Sequence, residues 1–419
     1  MANIFQTAQV IAKTAVRVLD NELVAASKVY RGYEDEFAEK VNGYEKGATV
    51  TIKKPPQFQV RMGDTASNQD VVEGTTSITV NRKAGVDLKI SSTDLTLSIA
   101  QLGERVIKPA MVSIANQIDQ DVMGLYSSVP HWVGTPGNVL SSYPGFLRGT
   151  TRMNNMSVPR DSRFCMLSPD DESGLAGAQT QFYNDKLVAE AYRDGAVGRI
   201  AQVDTYMSQN VPVLSTGSRT NGTVNGAGQA VTYTQALANG LQVKDFGGQF
   251  LNVSGLGAGG TIAAGEVFTI AGVYAVNHVT KQPLNFLRQF TVTAAATADG
   301  SGNATLAISP AIIAPAALPA GAFTTVSAAP AAGAVVTWMG AASSNYTQNI
   351  MAHKNAFALA CVPLIKPPGA VNCTRESYKG LSVRLIPYYD GVNDVSQWRL
   401  DVLYGVKAVD PRLAVRLNG

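Results

Sequence analysis

Between residues 216 and 343 the chain carries only seven charged side chains: Arg219, Lys244, Asp245, Glu266, Lys281, Arg288 and Asp299. Strand-like runs recur in this stretch at 230–234, 249–253, 267–273, 289–294, 304–308 and 335–339, separated by Gly, Asn-Gly and Pro. No helical period interrupts them. Short strands at turn-bounded spacing fold as a small barrel or sandwich. Residues 312–334, rich in Ala and Pro, read as a low-complexity loop within it. The sequence on both sides has a different, mixed α+β character. The charge-poor segment is therefore read as an insertion into one domain rather than as a terminal domain.

The clearest helix precedes it. From Lys108 on, Met111, Ile114, Ile118, Val122 and Leu125 recur at steps of three and four, the period of one helix face. Pro109 suits the first turn, where a missing N–H costs little. Gln117, Asp119, Gln120 and Asp121 fall off the stripe, toward water. About 20 residues give a rod of roughly 30 Å. A shorter helix is expected over 93–102, capped by Ser92 or Thr93, and another over residues 7–26.

Upstream of these, residues 49–60 and 76–90 are strand-like, with a polar stretch between them. Paired along their length they would make an arm of roughly 40 Å. A lone two-stranded ribbon is marginal in water, so the arm is expected to lie on something other than its own core, most simply a neighbouring subunit. Lys53, Lys54, Arg61, Arg82, Lys83 and Lys89 cluster on it, diluted by Asp64, Asp70 and Glu73.

Beyond the long helix, a short helix is expected over 145–153, a buried strand over 162–167, and a helix start at Ser168-Pro169 with Asp170, Asp171 and Glu172 in its first turn. A further short helix is expected over 187–192, and short strands over 200–204 and 211–214. Past the insertion, 349–360 is a mixed run holding His353, 381–387 and 398–404 alternate sharply, and 406–417 is a strand-rich tail.

Signals for chemistry are weak. Gly255-Leu256-Gly257-Ala258-Gly259-Gly260 has the G-x-G-x-x-G spacing, but a strand-like run follows where a dinucleotide site needs a helix. His131, His278 and His353 lie far apart with no second ligand at useful spacing, which argues against zinc. Three cysteines, Cys165, Cys361 and Cys373, have no metal spacing and read as reduced thiols. The acids 170–172 read as helix-dipole partners rather than as catalysts. A net charge of +3 argues against a dedicated nucleic-acid binder. The N-terminal residues lack the unbroken apolar core of a signal peptide, and no run is long and apolar enough to span a membrane. No catalytic, cofactor or metal residues are assigned, and the reading is a protein that is not an enzyme.

Four stretches, in this order, carry a resemblance: Glu104-Arg105-Val106-Ile107-Lys108-Pro109-Ala110; Ala189-Glu190-Ala191-Tyr192-Arg193-Asp194-Gly195 leading to Val211-Pro212; Gly265-Glu266-Val267-Phe268-Thr269-Ile270-Ala271-Gly272-Val273; and Arg399-Leu400-Asp401-Val402-Leu403-Tyr404-Gly405. With the charge-poor insert, they make the chain resemble tailed-bacteriophage major capsid (coat) proteins, in the podovirus coat subgroup that carries an inserted β-barrel domain. The resemblance implies an α+β capsid fold: an N-terminal arm (1–46), an extended loop and peripheral domain with a spine helix (47–130), an axial domain in two parts (131–215 and 344–419, the latter returning to the peripheral domain), and an inserted β-domain (216–343) on the outer surface. The spine helix would be 108–127 and the loop tip 57–81.

The resemblance also implies a virion protein assembled in the host cytoplasm. It would form a homo-oligomer of hexamers and pentamers, built with a scaffolding protein and a portal protein into an icosahedral procapsid. That procapsid would expand as double-stranded DNA, held by weak non-specific contact, is packaged. Lys53, Lys54, Arg61, Asp64, Asp70, Glu73, Arg82 and Lys83 are the candidate subunit-interface residues. No cofactor, membrane contact or covalent inter-subunit cross-link is expected. A second reading, motivated by the Gly-rich insert, is a carbohydrate-binding or adhesive β-rich virion surface protein; the small number of exposed-type aromatics there, chiefly Tyr233, Tyr274 and Trp338, weighs against it.

Overall fold

The computed structural model describes residues 3–34, 40–41, 44–45, 49–61, 63–66, 68–91, 106–179, 198–315, 320–367, 369–370, 373–391 and 394–419. The chain forms two compact units. One comprises Met1–Thr51, Ser77–Met123 and Phe357–Lys407; the other comprises Ile52–Thr76, Gly124–Ala356 and Ala408–Gly419. The helices expected over 93–102 and 187–192 lie outside the described residues.

In the first unit, helix Asn3–Glu22 packs on the spine helix Lys108–Met123 and on strands Thr374–Tyr378 and Leu381–Asp390. Ile11, Val16 and Leu19 are buried from the first helix, and Met111, Ile114, Ile118 and Val122 from the second. The apolar stripe is thus the core face that its spacing predicts. Asp119 is a correction. It stands beside the stripe but is only 1% exposed. Its two carboxylate oxygens accept from Val24 N and Ala26 N, each at 2.8 Å. Burial raises its pKa, and those N–H groups partly offset the rise. A polar side chain next to a core stripe can go inside when backbone donors meet it there.

The sheet of this unit contains Phe357–Val362, Val395–Ala408, Leu381–Asp390 and Thr374–Tyr378, with Arg82–Ser91 also along Val395–Ala408. This corrects the expected long hairpin. Arg82–Ser91 runs antiparallel to the closing strand from Ser91↔Val395 to Arg82↔Tyr404, and only Thr49–Lys53 and Thr75–Thr79 pair as a ribbon. A multi-stranded sheet with a packed face satisfies those backbone groups better than an isolated ribbon does.

In the second unit, six antiparallel strands close into a barrel in the order Gly222–Val224, Gln249–Ser254, Ala304–Ser309, Pro283–Val292, Val267–Val276, Val335–Trp338, and back to the first. Leu251, Val253, Phe268, Ile270, Phe290, Leu306, Ile308 and Val336 fill it. Closure leaves no free sheet edge, so a segment with few charges needs no charged edge strands for protection. Residues 230–234 are not a strand: Tyr233 stacks on Phe323, with ring centroids 3.9 Å apart. The Ala/Pro-rich stretch is also not a free loop. Ile312 and Val326 enter the barrel core, while Ile313, Ala322 and Phe323 form a satellite cluster with Val243. The glycine-rich motif is a turn with Gly255, Gly257 and Gly259 at positive φ, and it leads into strand Thr261–Ile262.

A mixed sheet of the same unit runs Trp132–Val133, Ala414–Leu417, Asn349–His353, Arg163–Leu167, Val203–Met207, Arg199–Ile200. Helices Tyr143–Asn155 and Pro169–Gln179 match the two expected there. Ser168 Oγ accepts from Asp171 N at 3.2 Å. Asp171 in turn is buried and accepts from Leu140 N and Asn349 Nδ2, a structural role. The expected strand 200–204 is broken by a hairpin turn at Ala201 and Gln202, both at positive φ, between strands Arg199–Ile200 and Val203–Met207. Arg416, on the strand Ala414–Leu417, is fully buried. Its guanidinium donates to Gly265 O at 2.5 Å and to Thr291 Oγ1 at 3.1 Å, joining the sheet to the barrel. Burial lowers its pKa to about 9.

Candidate assembly interface

The extended loop leaves the short ribbon at Lys54 and returns at Gly74. Among the described residues in between, no backbone ladder joins its two limbs. An amide pair bridges its two limbs: Gln69 Oε1 accepts from Gln59 N at 2.9 Å, and Gln69 Nε2 donates to Gln59 O at 2.7 Å. One side chain thus mimics a pair of strand hydrogen bonds. Near this bridge Phe58, Val60 and Val71 are 52%, 85% and 67% exposed. Apolar side chains grouped at that exposure mark an interaction surface.

The base of the loop lies on the insert of its own chain. Lys54 Nζ donates to Lys244 O and Asp245 O, both at 3.1 Å. Thr75 donates from N and Oγ1 to Asp245 Oδ1, at 2.7 and 2.9 Å. Lys244 Nζ donates to Glu73 O at 3.3 Å, and Lys281 Nζ to Gln57 Oε1 at 2.9 Å. Val72 packs against the satellite cluster around Val243 and Phe323, alongside Tyr233. Burial alone would push the Asp245 carboxyl up. The Thr75 hydrogen bonds and the Lys244 and Lys54 charges outweigh that and hold it below its ordinary value. The expectation that the arm rests on a neighbour therefore needs dividing: the base is met within the chain, while Phe58, Val60 and Val71 toward the tip stand largely exposed.

The eight candidate interface residues separate accordingly. Arg61, Asp64 and Asp70 are exposed on the tip, where Arg61 donates to Gly63 O. Lys53 pairs with Glu73 at 3.1 Å on the ribbon flank, and Lys54 is committed to the insert. Arg82 and Lys83 belong to the first unit. There Arg82 pairs with Asp121 at 2.7 Å and Lys83 with Asp401 at 3.4 Å. Asp401 is 1% exposed and also accepts from Arg384 at 2.6 Å and Arg399 at 2.9 Å. Burial opposes its ionisation, but those bonds and the Lys83 charge pull its pKa below the ordinary value. Reading the sequence missed Asp245. Its one signal was a lone Lys-Asp pair in a segment nearly empty of charge.

No group of His, Cys, Asp and Glu suited to a metal ion occurs among the described residues, and no described helix is long and apolar enough to cross a membrane. His131 and His353 are buried and His278 is half-buried, with the ring nitrogens of His131 unpartnered among the described residues.

The solved structures similar to this chain include one from Mycobacterium phage Che8, 11% identical with a TM-score of 0.47, covering 94% of this chain and 91% of that one. The capsid of cyanophage P-SCSP1u is 11% identical with a TM-score of 0.41, covering 89% and 84%. The CUS-3 coat protein I-domain is 26% identical with a TM-score of 0.20, over 28% of this chain and 93% of that domain. No curated protein matches the chain significantly. The family model described as "P22 coat protein - gene protein 5" matches residues 1–419. Covering the full chain, this match shows that the protein belongs to the P22 coat protein family, the major capsid proteins of tailed bacteriophages.

Proposed function

We propose that this chain builds an icosahedral procapsid as hexamers and pentamers, together with a scaffolding protein and a portal protein, in the host cytoplasm. The shell then expands as double-stranded DNA is packaged against it by weak, non-specific contact. The observation that carries this reading is the exposed loop tip. Phe58, Val60 and Val71 are largely exposed in the single chain, and covering each contributes roughly 1–2 kcal/mol. Repeated many times over a shell, such contacts add to large obligate interfaces. In this reading Arg61, Asp64 and Asp70 set the register of the tip on a neighbouring copy, and the Lys53–Glu73 pair flanks it. The product is a shell, and the protein is not an enzyme.

Two observations weigh against the glycan-binding alternative. Trp338 is buried and Tyr233 is stacked on Phe323, so of the insert's few aromatics of exposed type Tyr274 is the one that stands exposed. Sedimentation of the chain co-expressed with a scaffolding protein tests the proposal. Fast-sedimenting closed particles are expected for the natural chain and slow material for Val60→Asp. Slow material from the natural chain under every assembly condition would contradict it.

A further inference from the structure

Beyond that assembly role, and resting on it, we propose that the inserted barrel domain is the rest on which its own chain's extended loop is set, with Asp245 as the positioning residue. Four independent observations meet here. Ile52–Thr76 belongs to the same compact unit as the insert. The two limbs of the loop base are both tied to one short helix, Val243–Phe246: the outgoing limb through Lys54, and the returning limb through Thr75 and Glu73. Gly74 is packed so closely that a Cβ there would meet Lys244 O at 2.4 Å and Tyr233 Oη at 2.9 Å, so the returning limb sits directly on the insert. Val72 is seated against a floor built from Val243, Ile313 and Phe323. This gives the Ala/Pro-rich stretch a task, since Ile313, Ala322 and Phe323 come from it.

The chemistry explains why an aspartate serves. One carboxylate oxygen receives both the N–H and the hydroxyl of Thr75, which fixes the returning limb in position and direction. Charge-assisted bonds of this kind are stronger than neutral ones. The next carbonyl contacts, from Lys54, fix the outgoing limb against the same turn of helix. Lys281 then holds Gln57 further out. Between these ties and the tip stands the Gln59–Gln69 bridge. The pose of the exposed tip therefore follows from the insert, which would make the insert a determinant of how copies meet as well as a covering on the shell.

The test uses the full-length, unassembled chain and limited trypsin digestion, scoring cleavage after Arg61 by intact mass. Asp245→Ala is expected to speed that cleavage about ten-fold, because local opening controls access to the protease. Thr75→Val, which removes one of the two bonds, is expected to give a smaller increase, and Asp245→Asn, which keeps the acceptor, to restore most of the protection. Asp299→Ala removes an exposed insert acid that bonds only within its own turn and is expected to leave the rate unchanged. An Asp245→Ala chain cut at the natural rate would overturn the proposal, as would equal acceleration by Asp299→Ala. Because the digestion is read before assembly, the result stands whether or not the chain forms shells.

Discussion

At the scale of single residues, buried carboxylates organise more of the first unit than its apolar pattern suggests. Asp401 gathers Arg384, Arg399 and Lys83 onto one side chain. Gly85 is what lets the Arg82–Ser91 strand close over it, since a Cβ there would meet Asp401 Oδ1 at 2.7 Å and Leu400 O at 2.9 Å. Removing the carboxylate would leave Arg384 buried and unpaired, which costs about 3 kcal/mol. Asp401→Ala is expected to lower the free energy of urea unfolding by that order, and an unchanged midpoint would contradict the network. Histidines set a pH response in the second unit. His278 titrates at about 4 when folded against 6.5 free, lowered first by burial and then by Arg412. His131 and His353 shift the same way, each first by burial. The unfolded chain thus binds more protons between the free and folded values. Stability is expected to fall as pH drops from about 6.5 toward 4, by at most about 1.4 kcal/mol per pH unit for each histidine. Asp119, whose folded pKa is raised, opposes this in the other unit. Urea midpoints followed by tryptophan fluorescence at about pH 7 and about pH 5 check it; equal midpoints would contradict the buried-neutral assignment. None of these roles was legible in sequence, because a carboxylate's partners are distant in the chain: Asp119 meets Val24 and Ala26, and Asp401 meets Lys83.

At the scale of elements, period carried most of the information. Met111, Ile114, Ile118 and Val122 were legible as a buried stripe because a helix repeats its faces regardless of what it packs on. Ile118→Asp is expected to abolish folding, since it places an unpaired charge in that face. Pro109→Ala, at an exposed position in the first turn, is expected to shift the thermal midpoint by no more than a few degrees. Soluble, folded Ile118→Asp protein in circular dichroism would show the stripe to be misassigned. The barrel was legible for a related reason: short alternating strands between glycine turns have few other ways to bury one face. Pairing was not legible. Residues 82–91 alternate in a way compatible with either 49–60 or the closing strand, and alternation says which face is buried but not which strand lies alongside. The same limit hid the seat of the extended loop, where Asp245 and Thr75 meet across a long sequence separation.

At the scale of the whole molecule, the fold supplies two compact units and, on the extended loop, a group of exposed apolar side chains. The barrel and the mixed sheet each enclose an apolar core, and the helix-backed sheet buries Leu381, Val383, Leu385, Leu400 and Val402. The tip leaves Phe58, Val60 and Val71 largely exposed. The resemblance to coat proteins led the reading of the sequence to a capsid subunit, and membership of the P22 coat protein family bears that out. Composition could not tell that the insert, besides standing in the fold as a closed barrel, also holds the base of the loop. Negative-stain electron microscopy of the full-length chain, expressed with and without a scaffolding protein, tests the shell-building account most directly. Closed particles of uniform diameter with scaffold, and irregular shells or tubes without it, are the predicted result. Dispersed single chains in both preparations, with the fold intact by circular dichroism, would contradict it.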